Sequence, residues 1–127
     1  MKVIFDTNFI LTCLKEKVDF LSAEEFGELV LPLQVIDEIR KISEDKKRSR
    51  KERDLANLAL KIIDKNKGNF VFINLNKKFV DKGLVNYINR ESEVILASLD
   101  IKLIKKIRGR AQVLGIRKGR ILGLVCH

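Results

Sequence analysis

Short apolar runs separated by stretches of helical periodicity constrain this chain more than any other feature. Val3-Ile4-Phe5, Leu29-Val30-Leu31-Pro32-Leu33, Phe70-Val71-Phe72-Ile73 and Val94-Ile95-Leu96-Ala97 are brief and rich in β-branched or aromatic residues. Such runs read as strands buried on both faces, which is how parallel sheets are written in sequence. Between them, Val35, Ile36, Ile39 and Ile42 recur at helical spacing over about Gln34 to Ile42. Leu55, Leu58, Ala59, Ile62 and Ile63 form the stripe of a longer helix over Lys51 to Lys65, with Gly68 as its C-cap. Shorter helices are expected over Phe9 to Leu14, around Leu84, Val85 and Ile88, and over Ile101 to Ile107. Ser22 with Glu25 makes a capping box and predicts one more helix, ending near Gly27. Gln112–Gly115 and Arg120–Val125 predict two final, shorter strands. The alternation gives an α/β sandwich around a parallel sheet.

Composition narrows the class. At 127 residues, 46% apolar and 34% charged, with no linker, repeat or low-complexity stretch, residues 1–127 read as one domain with a real core. No apolar run approaches membrane-spanning length and no signal-like stretch opens the chain, so a cytoplasmic protein with no membrane partner is expected. Cys13 and Cys126 stand alone and read as small buried hydrophobes in a reducing compartment. The only histidine is His127, the last residue. A zinc enzyme or a Ser-His-Asp hydrolase therefore has no working parts here.

The net charge of +9 points to an anionic partner. After Asp100 there is no acid, yet Lys102, Lys105, Lys106, Arg108, Arg110, Arg117, Lys118 and Arg120 follow. A second basic run spans Lys46 to Arg53, interleaved with Glu52. Either run can be a solvated helix face, and the acid-free one is the better candidate for the anionic partner.

The acids carry the chemistry. Asp6 ends the first strand abruptly and is followed by Thr7 and Asn8; Asp100 ends the Val94–Ala97 strand in the same way, after Ser98-Leu99. Glu38 and Asp81 fall near the starts of two helices. Taken alone, Asp6 reads as a helix cap. In company, carboxylates at the carboxyl edge of a parallel sheet lie where such sheets bind ligands. Converging carboxylates repel unless some stay protonated or a cation joins them. Mg²⁺ or Mn²⁺ suits oxygen donors, and beside basic surface the fitting reaction is cleavage of a phosphodiester.

Phe5-Asp6-Thr7-Asn8-Phe9-Ile10, Val35-Ile36-Asp37-Glu38-Ile39 and Ile95-Leu96-Ala97-Ser98-Leu99-Asp100 resemble the three signature blocks of PIN-domain nucleases, over essentially the whole chain. The opening block and the basic stretch after the last acid are most similar to the branch that processes small-subunit ribosomal RNA precursors. The VapC toxins of toxin–antitoxin pairs are the next match. The resemblance implies a three-layer sandwich with a twisted, mainly parallel sheet and helices on both faces. It also implies a metal-dependent endoribonuclease acting on RNA. By position, Asp6, Glu38, Asp81 and Asp100 become the catalytic, metal-binding acids, with Asn8 and Ser98 in support. Lys105, Lys106, Arg108, Arg110, Arg117, Lys118 and Arg120 become the RNA-binding set. The third acid belongs to a pair that here reads Asp81-Lys82, so an inactive RNA-binding scaffold is a competing reading. A toxin reading adds an antitoxin partner, and a homodimer stays open.

Overall fold

The computed structural model describes residues 1–117 and 120–125, with side chains described for residues 1–117, 120 and 121. Lys118, Cys126 and His127 lie outside the described residues. Parallel strands β1 (Lys2–Phe5), β2 (Glu28–Pro32), β3 (Phe70–Ile73), β4 (Val94–Ala97) and β5 (Gln112–Arg117) are joined by β6 (Arg120–Val125), which pairs antiparallel with β5. The sheet order is β3-β2-β1-β4-β5-β6. Connecting them are α1 (Thr7–Lys15), α2 (Leu33–Glu44), α3 (Arg50–Lys65), α4 (Val80–Arg90) and α5 (Ile101–Lys106).

That order decides where a site can form. From β1 the chain builds outward through β2 to β3, then returns across β1 to place β4 and β5 on the other side. Crossovers between parallel strands are right-handed, so the two directions of growth put their helices on opposite faces. Helices α1, α2 and α3 pack together, and α4 packs with α5. The sequence order reverses between β1 and β4, and such a switch point opens a crevice at the carboxyl ends of its strands. Asp6 and Asp100 follow those two strands.

The core follows the apolar runs. Val3, Ile4 and Phe5 of β1 and all four residues of β4 are buried. Phe5 stands near the rings of Phe9, Phe20 and Phe70, at centroid separations of 6.0, 6.1 and 6.4 Å. Cys13 is buried, and burial pushes its thiol up to about 12, so it packs as a hydrophobe. Gly83 lets α4 close on the chain before it, since a Cβ there would meet Leu75 Cβ and Cδ1 at 2.8 Å.

Local expectations fail in four places. The Ser22–Glu25 capping box does not form: Asp19 caps a 3₁₀ helix over Phe20–Glu25, and the Ser22 hydroxyl donates to the Asp19 carbonyl. The α3 stripe is rotated, with Ala56, Ala59 and Ile63 buried and Leu58 44% exposed. Small alanines there admit the close approach of α2. Asn66 rather than Gly68 ends α3, its amide donating to the Ile62 carbonyl. Strands β5 and β6 are the longest in the sheet, because they form a hairpin. Among the described residues no helix is long and apolar enough to cross a membrane.

Candidate active site

Asp6 leaves β1 in extended conformation and caps α1, its Oδ1 accepting from the Thr7 amide at 2.8 Å. Its backbone amide donates to the Ala97 carbonyl, so the sheet ladder itself ties this residue to the end of β4. Oδ2 accepts from the Ser98 hydroxyl at 2.9 Å, and Ser98 Oγ in turn accepts from the Asp100 amide at 3.1 Å. Asp100 caps α5, its Oδ1 accepting from the amides of Lys102 and Leu103. One serine thus couples the Asp6 carboxylate at the end of β1 to the Asp100 backbone amide beyond β4. The capping role expected for an isolated Asp6 is real, and it does not compete with a role in the crevice. One oxygen satisfies the helix while the other faces Ser98.

The other two acids arrive on helices. Glu38 lies in the second turn of α2 and accepts a hydrogen bond from the Thr7 hydroxyl. Asp81 lies in the first turn of α4. Asp6, Thr7, Asn8, Glu38, Asp81 and Asp100 line one cleft of about 400 Å³, closed on one side by Lys41, Ile42 and Arg48. Asp6 is only 5% exposed there. Burial pushes its carboxyl up to about 6, and the charges of Asp81 and Asp100 add to the rise. The hydrogen bonds from Ser98 and the Thr7 amide oppose it. Among the described residues no three acidic, histidine or cysteine side chains are already drawn around one point where a metal ion could sit.

A sequence profile described as PIN domain matches residues 3–118. The chain belongs to the PIN domain family. It is 26% identical over 111 residues to "Ribonuclease VapC4" of Methanocaldococcus jannaschii, an alignment covering 84% of this chain and 82% of that protein. Its fold superposes on "Structure of the PIN domain endonuclease Utp24" with a TM-score of 0.75 at 22% identity, over 98% of this chain and 93% of the other.

Within this PIN domain the acids and Asn8 that the sequence singles out share one cleft, while Ser98 stands behind it, buried. Asp37, the neighbour of Glu38, faces away and pairs with Arg40 at 3.2 Å. The basic set is divided. Lys106 faces a second hollow that shares Asp81 with the cleft. Arg110 donates to Asn89 at the far end of α4. Arg117 and Arg120 pair across the β5–β6 hairpin, at the carboxyl edge of β5. Lys105 and Arg108 are exposed at the end of α5 and just beyond it. Thr7 and Lys41 escaped sequence reasoning, and Arg48 was read only as a member of the second basic run. Thr7 read as a cap, although its hydroxyl is what holds Glu38. Lys41 stands one helical turn after Glu38, a spacing that puts both on one helix face and could have revealed it.

Proposed function

We propose that this PIN domain is an endoribonuclease that hydrolyses RNA phosphodiesters with Mg²⁺ or Mn²⁺, in the processing of ribosomal RNA precursors. The observation that carries the reading is the buried Asp6 carboxyl at the switch point, raised to about 6 with Asp81 and Asp100 contributing. Such an arrangement costs stability unless a cation answers it. The donors are all hard oxygens. An ion such as Mg²⁺ keeps several waters and needs only one or two carboxylates directly.

Asp6, Asp81 and Asp100 would hold the ion, and Glu38 would join them or orient the attacking water. When bound, the ion supplies an acidified water and charge neutralisation at the phosphoryl oxygens. The rest is done by the chain. Ser98 fixes which way Asp6 points, and the Thr7 hydroxyl fixes Glu38. Lys41 and Arg48, on the α2 side, face the incoming phosphate backbone with positive charge. Arg48 is steadied by Glu52 at 3.1 Å.

The rRNA role rests on the likeness of the Phe5–Ile10 block and the basic C-terminal stretch to that branch. A toxin ribonuclease is the second reading, favoured by the 26% identity to a VapC ribonuclease. The test is a cleavage assay on structured RNA with Mn²⁺ and with EDTA, beside melting curves in both. Cutting that needs Mn²⁺, with a raised melting point, is expected. No cutting and an unmoved melting point would establish the inactive scaffold instead. Growth arrest on expression, relieved by a neighbouring gene product, would decide for the toxin.

A further inference from the structure

The second hollow, about 340 Å³, lies between α4 and α5 and is lined by Lys77, Asp81, Lys82, Val85, Asn86 and Lys106. Its lysines form no ion pair with any acid among the described residues. The amino end of α4 opens onto the same region, and its N-cap residue is Phe79, whose side chain cannot accept from the free amides. Those amides carry partial positive charge toward solvent. Phe79 itself is 61% exposed, the most exposed aromatic ring among the described residues. Lys78 and Lys82 hold their ammonium groups 5.8 and 6.0 Å from the centre of that ring. An aromatic face standing in water beside lysines, with a concave basic floor next to it, is the equipment of a single-strand nucleic-acid site.

We propose that this hollow is a subsite for unpaired RNA: Lys77, Lys82 and Lys106 seat a phosphate next to the one in the acidic cleft, and Phe79 stacks its base. Asp81, shared by both hollows, marks the boundary between the strand being held and the bond being cut. Lys82, which follows Asp81 where the family pattern suggests a second acid, thus gains a function: it faces the phosphate, not the cation. A base can lie on Phe79 only if it has left a helix, so the subsite selects single-stranded over duplex RNA.

The inference takes its direction from the nuclease reading, but its test needs no cleavage. Binding of a short uridine-rich oligoribonucleotide to the full chain in EDTA is followed by fluorescence anisotropy across a salt series. Replacing Lys77, Lys82 and Lys106 together with alanine is expected to flatten the log–log salt slope by about 0.7 or more, one single-strand phosphate's share. Phe79→Ala is expected to weaken binding about tenfold at an unchanged slope, with Phe79→Tyr restoring it. A duplex of the same sequence should bind Phe79→Ala and the wild type alike. An unchanged slope in the lysine variant, or equal losses on single strand and duplex for Phe79→Ala, overturns the subsite. If those arms fail while Mn²⁺-dependent cutting persists, the nuclease stands without this subsite. If they succeed in a protein that never cuts, the subsite stands and the nuclease reading falls.

Discussion

The cleft has two halves built by different means. Asp6 and Asp100 end adjacent strands, and Ser98 hydrogen-bonds both, through the Asp6 carboxylate and the Asp100 amide. Glu38 and Asp81 ride on exposed turns of α2 and α4, and only Glu38 has a side-chain partner, Thr7. The first half is set by the sheet, whose backbone ladder leaves little to adjust. The second can shift by a side-chain rotation. A cation would therefore find a fixed, electrostatically costly edge and two arms that complete it. The division also explains why the four acids share a cleft without already forming a clasp.

The largest effect that would break this comparison is on the fixed half. Asp6→Asn keeps shape, since its carbonyl oxygen can accept from Thr7 and its amide can donate to Ser98, but it removes the central charge. Cleavage should vanish. In EDTA the same variant should be more stable than the wild type at neutral pH. The folded Asp6 titrates near 6 against an unfolded value of 3.8. Between those values the folded state holds the extra proton, so stability is present below the lower value and lost as pH rises through the upper one. The loss amounts to about 3 kcal/mol by neutral pH, at about 1.4 kcal/mol per unit. Urea unfolding in EDTA from about pH 4 to 7, in both proteins, measures it. A parallel pH dependence in the variant would sink this electrostatic account.

Ser98→Ala tests the coupling. Ser98 is a positioning residue, so activity should fall by about ten- to a hundredfold. Its hydrogen bond also lowers the Asp6 pKa. Losing it should move the acidic limb of the pH–rate profile to higher pH, a change that a merely structural role would not produce.

The two halves also differed in how legible they were. The fixed half could be read directly, because β-branched runs with an acid at the end place that acid by topology. Four parallel strands and five helices were legible for the same reason. What could not be read were contacts made by residues far apart in sequence. Thr7 meets Glu38 across 31 positions. The α3 stripe is turned by its packing on α2, which periodicity within α3 alone cannot show. Asp19 won the cap from Ser22 because the turn that closes α1, with the Val18 amide donating to the Cys13 carbonyl, delivers Asp19 to the helix start, and the Ser22 hydroxyl is then spent on the Asp19 carbonyl. The basic C-terminal stretch looked continuous along the chain, but folding scatters it: Lys106 faces the hollow beside Asp81, Arg110 reaches Asn89 at the end of α4, and Arg117 and Arg120 sit on the β5–β6 hairpin.

Gly83→Ala probes how the helix-borne half is seated. On helix propensity alone the change would stabilise α4 by about 1 kcal/mol. Against that, the new Cβ would lie 2.8 Å from Leu75 Cβ, an atom that cannot move without its backbone. Overpacking of this kind costs about 1–3 kcal/mol. A net loss of about 1 kcal/mol in urea unfolding is expected, with reduced cleavage because α4 carries Asp81. Stabilisation would show that Leu75 yields and that the seat of α4 is loose.

The smallest effect concerns the residue next to Glu38. Asp37 and Glu38 are consecutive on α2, so their side chains leave the helix about 100° apart, and both cannot face the cleft. Glu38 turns to Thr7 and lines the cleft, while Asp37 turns to solvent and pairs with Arg40. That pair is more than half exposed at both partners, with side chains 54% and 61% accessible. Exposed i,i+3 pairs contribute little, because water screens them and ordering two side chains costs entropy. Asp37→Asn should therefore leave cleavage, RNA binding and the melting point in EDTA close to the wild type. Glu38→Gln should lower cleavage sharply, leave RNA binding in EDTA intact and shrink the stabilisation that Mn²⁺ gives. Both substitutions remove one negative charge from the same helix turn, so a general electrostatic effect on the cleft would make them alike. If Asp37→Asn proves the more damaging of the two, the acid that serves the site from α2 has been misassigned by one residue, and α2 must rotate when RNA or a cation binds.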